Sequence, residues 1–395
     1  MTDAGSGDPA GRFSLVVGGP FHAVLRRLGL LGADQLPARR AAVGLALLAW
    51  LPPALLAAAQ SLVDPRYSGW GFFADSTVYT RYLVAIWVML ATERYAEGRI
   101  ALLTRQFREA RLVSDNGLPA FRAALADADR RSSSALAEAV ILGAALIWSS
   151  LVARYAVALA GSSWEGTAVA GEVVLSWAGE TARFVSNPLF LFLVLRWIWR
   201  FLVWTALLYR ISRLPLQLTP LHPDRSAGLG FLTIYPSIFS GFIFALSCVV
   251  ASSFLKELGL ETHSSETVWF AIGGWLALSL VLLLGPLLVF VGPLHAVRER
   301  ALLEYGRLAA QHHLAFHRKW IEEPRSGADL MGSSDPSSAS DLNASVQAVR
   351  EMRVFPVDGP AVLQLVVAAG VPMLAVVATQ IPLADLVKWI VGTIL

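Results

Sequence analysis

Charge is scarce in this sequence of 395 residues: Asp, Glu, Lys and Arg make up 15% of it, against roughly 25% in an ordinary soluble domain. That deficit argues against a water-soluble fold. Lysine is scarcer still, since Lys256, Lys319 and Lys388 are the only three among 32 basic residues. A net charge of +3 leaves no basic footprint for DNA or RNA, and no nucleic-acid partner is expected. The single cysteine, Cys248, excludes an internal disulfide framework and a CxxC metal or redox motif. P-loop, HExxH and GxSxG patterns are missing as well. ATP-driven transport and the common hydrolase mechanisms are therefore not expected, and the chain reads as a non-enzyme with no catalytic residue, no metal and no cofactor.

Apolar sequence is abundant instead, at 55% of the chain with 13 Trp and 19 Phe. Seven runs, 41–63, 78–96, 135–161, 184–208, 231–255, 268–292 and 360–382, are each near or above the roughly 20 residues that a membrane-crossing helix needs. The expected fold is all-α: a polytopic transmembrane helical bundle of about seven spans, with helical regions at 97–131 and 295–353 on one side. A segment at 1–40 precedes it, in which Phe21, Val24, Leu25, Leu28 and Leu31 share the face of a short interfacial helix or one packed on the bundle. The tail after 382 is too short to cross. Met331 to Asp341, with five serines, reads as a linker, followed by a short helix over 341–353.

Of the 32 Lys and Arg, 26 lie before the first run and in the stretches Arg94 to Arg131, Arg196 to Arg225 and Arg298 to Arg353. The positive-inside rule then puts the N-terminus in the cytoplasm and the C-terminus in the periplasm. Enrichment in Arg and Ala suggests a GC-rich bacterial source, hence an inner membrane. The partners expected are the lipid bilayer, a small anion and further copies of the chain, since Gly143 to Ala145 and Gly273-Gly274 allow close helix contact. No internal repeat supports an inverted-repeat transporter.

Several elements together carry a resemblance: Phe184-Val-Ser-Asn-Pro188, Leu195-Arg-Trp-Ile-Trp-Arg200, Leu221-His-Pro-Asp-Arg-Ser-Ala-Gly-Leu-Gly-Phe231, Val354-Phe-Pro356 and Thr379-Gln-Ile-Pro-Leu383. The chain resembles a family of bacterial polytopic inner-membrane proteins with an LHPDxxxGLGF-type loop, over its C-terminal half to two thirds. No activity is assigned to that family, so the resemblance implies location and organisation and transfers no functional residue.

Two regions are the candidates for function. Arg154 in the third run, and Asn187, Arg196 and Arg200 in the fourth, are polar groups at membrane depth, while Glu93 and Glu138 fall at the ends of their runs. Arg196 and Arg200, at i and i+4, share a helix face with Arg210 close to its line. A cavity along that face would attract an anion, whereas an interfacial position marked by Trp197, Trp199 and Trp204 would leave the arginines merely snorkelling. The second region is the loop with His222, Asp224, Arg225, Gly228 and Gly230, read as a tight turn with a cap or as a gate or ligand loop at the cytoplasmic mouth. The expected function is a channel or facilitator for a small anion or polar solute. The alternative is a non-transporting membrane scaffold or signalling protein that binds a cytoplasmic partner.

Overall fold

A computed structural model describes residues 13–64, 69–160, 162–169, 172–259, 265–322 and 333–380. Among them, six helical stretches are long and apolar enough to cross a membrane, so the chain is a multi-pass, all-α membrane protein. Helices suit that setting because every backbone group is satisfied within its own segment.

After an irregular stretch that buries Phe13, Leu15 and Val16, α1 spans Gly19–Arg27 and α2 Arg39–Val63. The second predicted run is the exception to simple helical crossing. Two short helices, α3 (Gly69–Ala74) and α4 (Ser76–Val78), lead into it; the run itself is a π-helical turn (Tyr79–Ala85) and α5 (Ile86–Ala91), and it breaks at Thr92 before α6 (Glu93–Glu109). The Thr92 hydroxyl donates to the carbonyls of Val88 and Met89, a back-bond that bends helices. The broken segment nevertheless runs the depth of a neighbouring long helix, as its partners below show.

A short 3₁₀ turn, Asp115–Gly117, joins α6 to α7 (Leu118–Ser132), forming the helical hairpin expected over 97–131. The next helix, α8 (Ala135–Ala160), leads into a small antiparallel sheet, β1 (Ser162–Ser163), β2 (Gly166–Val169) and β3 (Glu172–Leu175), which the sequence reading did not anticipate. Then follow α9 (Trp177–Thr181), a second π-helical turn (Ala182–Ser186) and α10 (Asn187–Ser212).

After the 222–230 loop and a 3₁₀ turn come α11 (Tyr235–Gly259) and α12 (Ser265–Leu284). A further 3₁₀ turn with Pro286 passes into α13 (Val291–His317), which is 27 residues long and ends in a π-helical turn. The last two helices are α14 (Asp335–Arg350) and α15 (Gly359–Gln380). The serine-rich stretch is thus corrected: residues 335–341 begin a helix, with Pro336 in its first turn and Asp335 held by Lys319 and Trp320. Residues 323–332 and the tail 381–395 lie outside the described residues.

The α4–α5 segment lies antiparallel along α11. Asp75 accepts from Lys256 Nζ at 2.7 Å, the Thr80 and Ser252 hydroxyls are 2.7 Å apart, and Thr92 packs on Gly241. Asp75 also accepts from the Trp164 indole, which ties the small sheet to the same end of the bundle. At the opposite end gather the arginine-rich elements.

The most buried of the long apolar helices is α10. Its Trp197 stacks on Phe242 and its Trp204 on Tyr235, with interplanar angles of 11° and 12°. These two indoles are core residues, which corrects their reading as an interfacial belt; Trp199 alone points outward enough to bond the Arg131 carbonyl.

Candidate functional site: an enclosed arginine and glutamate cluster

The interior of the arginine-rich end holds four charged side chains from three helices. Arg196 and Arg200, one turn apart on α10, retain only 5% and 3% of their accessible surface. Glu93 follows directly on the Thr92 break, and Glu138 sits in the first turn of α8, where a carboxylate is favoured by the helix dipole. Arg196 donates from Nε to Glu138 Oε1 at 3.1 Å and from Nη1 to Glu93 Oε1 at 3.0 Å. Arg200 Nη1 donates to the same Glu93 oxygen at 2.7 Å.

The N-terminal segment closes the cluster. Glu138 Oε2 accepts from the Phe21 N–H at 2.7 Å, and Arg200 Nη2 donates to the Val16 carbonyl at 3.4 Å. The Arg196 guanidinium lies 4.8 Å from the centre of the Phe21 ring, a cation–π contact. Gly18 and Gly19, with φ of 118° and 80°, make the sharp entry to α1. A Cβ on Gly19 would stand 2.7 Å from Glu138 Oε1, so only glycine permits this approach. Glu97, one turn beyond Glu93, is half-buried below; burial pushes its carboxyl above the ordinary range, against the pull of the Ser14 hydroxyl, nearby N–H groups and Arg200.

This arrangement changes the meaning of the two arginines. They do not snorkel, and their charge is not unopposed, because two carboxylates balance two guanidinium groups at hydrogen-bond distance. Taking each ion out of water costs several kcal/mol, and the pairing offsets that cost only while all members are in place. Arg210, the third member of the sequence stripe, is exposed on α10 and pairs with Asp127 of α7 instead. Arg154 is exposed on α8, away from the cluster. Asn187 stands apart from the cluster: its Oδ1 accepts from the Tyr82 hydroxyl at 2.7 Å, and Arg81 Nη1 lies 3.5 Å away.

The loop before α11 is a capped turn. Asp224 Oδ1 accepts from the N–H groups of Ser226 and Gly228, and Oδ2 from that of Gly230 at 2.7 Å. Burial pushes its carboxyl up, but these three donors, with His222 at 2.9 Å, hold it below the usual carboxylate range. Arg225, Ala227 and Gly228 take positive φ to wrap the backbone around it. Arg353, just after α14, donates its backbone N–H to the Arg225 carbonyl and Nη2 to that of Asp224. The elements Leu221 to Phe231 and Val354-Phe-Pro356 are therefore neighbours, and the loop is strapped to the chain entering α15. The histidines of α13 are separately engaged, His313 with Asn343 and His317 near Glu322.

Glu93 and Glu138 are the site residues that the sequence reading passed over. The available signal was that two glutamates end their runs on the arginine-rich side, the end to which Arg196 and Arg200 also belong. A scan against protein-family models and searches of curated proteins and of solved structures find no match.

Proposed function

We propose that the protein is a non-transporting scaffold of a bacterial inner membrane, with its arginine-rich end in the cytoplasm, and that it recruits a helical cytoplasmic partner along α13. The orientation follows the charge bias of the connections. From Val291 to His317, 27 residues at a rise of about 1.5 Å each, α13 is about 40 Å long.

One observation carries this reading. On α13 the face containing Ala301 and Ala309 is buried, and α14 packs against the helix there, as the His313 to Asn343 bond marks. The opposite face is bare: Leu303 is 76% and Leu314 60% exposed. Eleven residues, or three helical turns, separate them, so they lie on one line with Ala310 between them. Ile321, also exposed, extends the patch. With the exposed Arg307 beside them, these side chains give the helix an unpartnered face of apolar contacts and one charge. The neutralised arginine cluster supports the same choice, since it offers a passing anion no unpaired guanidinium.

A photo-crosslinking residue placed at Leu314 in cells tests the proposal. A discrete crosslinked species is expected that disappears with Leu303→Arg and is not formed when the probe replaces Val281, which is exposed on α12. Crosslinks unaffected by Leu303→Arg would refute it.

The second reading is a small-anion channel closed at its cytoplasmic mouth. It is favoured by the N-terminal segment, which reaches Arg200 through the Val16 carbonyl and Glu138 through the Phe21 N–H. Efflux of halide, nitrate or phosphate from liposomes above the rate of empty ones would replace the scaffold by the channel.

A further inference from the structure

We infer that the groove between α1, α2, α8 and α10 holds one chain of an anionic phospholipid from the leaflet at the arginine-rich end, with its headgroup at Arg27. The groove encloses about 510 Å³, within the range of small-ligand sites. Its walls are almost wholly apolar, with Val24, Leu48, Leu142, Leu146, Val185 and Phe192 among them. The wall on α8 runs from Ala135 to Leu146, about 16 Å at 1.5 Å per residue. That is the depth of one leaflet, half of a hydrocarbon core of about 30 Å.

Three features favour a lipid over other occupants. The groove is cut into helices that cross the membrane and opens on their lipid-exposed side, where Leu142 and Val24 are bare. Its roof is α1, an amphipathic helix of the kind that lies in the interface. Arg27 follows Val24 by three residues on that helix and so flanks its apolar face. Arg27, one turn beyond the groove's Val24, is exposed and has no acidic partner among the described residues, which leaves its guanidinium available to a phosphate at headgroup level. Glu138, the polar residue of the lining, has its carboxylate already bonded to Arg196 and Phe21, so the floor presents no free charge to a chain.

The test is mass spectrometry of phospholipid retained by the full chain, purified in mild detergent from vesicles of equal phosphatidylglycerol and phosphatidylcholine. Wild type is expected to retain one phosphatidylglycerol per chain. Ala139→Trp fills the groove from an exposed position on α8. An indole that displaces two or more methylenes should lower retention by about tenfold or more. Arg27→Gln should keep the lipid but lose the preference for phosphatidylglycerol. Leu146→Trp, at the other end of the groove, repeats the first arm should Ala139→Trp misfold, as judged by size exclusion and melting. Equal retention by wild type and the folded Trp variants, or none by wild type, would overturn the inference. So would a wild-type dimer that Ala139→Trp converts to a lipid-free monomer, because a second copy would then be the occupant. Unchanged headgroup preference in Arg27→Gln would remove the headgroup assignment.

Discussion

Arg196 Nε lies 3.1 Å from Glu138 Oε1 although 58 residues separate them in the chain. The same guanidinium reaches Glu93 through Nη1, so one planar group joins α6, α8 and α10. A lysine at this position would offer three donors from a single nitrogen, without the rigid, spread fork that reaches carboxylates on two different helices.

Removing that fork should be costly. Arg196→Ala leaves Glu138 and Glu93 buried without their shared partner and is expected to lower stability by about 3–5 kcal/mol. Arg196→Lys should recover only part of the loss. Thermal melting of the purified protein in detergent measures both, and an alanine variant melting with wild type would show that the cluster does not hold the helices.

Glu97 works in the opposite direction. Burial raises its carboxyl above the ordinary value, so over the interval between the unfolded and folded values the folded chain binds more protons than the unfolded one. Its contribution to stability is thus lost as pH rises through that interval. Glu97→Gln stays neutral and should melt higher than wild type near neutral pH, with the gain vanishing below the usual carboxylate range. A gain that persists in acid would assign the effect to something other than ionisation.

For Asp224 the sign is reversed. Three backbone donors and His222 keep its carboxyl below the usual range, so its contribution is complete above that range and is lost as pH falls through the lowered value. Asp224→Asn places an NH₂ where Gly230 or Ser226 donates, and should cost about 1–3 kcal/mol. It should also flatten the acid limb of the stability profile. Limited proteolysis within 219–230 as a function of pH reads both effects.

A steric relationship gives a fourth expectation. A Cβ on Gly241 would overlap the Thr92 side-chain methyl. Gly241→Ala should therefore lower the melting temperature, and Thr92→Ala should restore part of it by removing that methyl. Additive losses in the double variant would mean that the two helices do not meet there.

Long apolar runs announced the helices plainly, because in lipid a continuous run has few other ways to satisfy its backbone. What escaped was whatever depends on partners distant in sequence. Glu93 and Glu138 looked like ordinary span ends, and only the packing of α6 and α8 against α10 turns them inward. Trp197 and Trp204 looked interfacial because position along a helix was visible while its rotation was not. The β1–β3 sheet has strands of two to four residues, too short for alternation to stand out. At 335–341 composition misled: serine favours loops on average, yet Pro336 in the first turn and the hold of Lys319 and Trp320 on Asp335 let a helix start there. The turn at Asp224, by contrast, was legible, since its Asp, Gly and Pro chemistry is local.

The N-terminal segment that covers the cluster also fixes an order of events during synthesis. Val16 leaves the ribosome 184 residues before Arg200, its partner. At about 5–20 residues per second, that is a wait of about 10–40 s. During this interval the nascent chain carries Phe13, Leu15 and Val16 without their docking place, and Glu93 enters the bundle with neither arginine to meet it. A stretch made early is thus seated only once α10 has been made, so closure of the arginine-rich end reports that α10 has arrived.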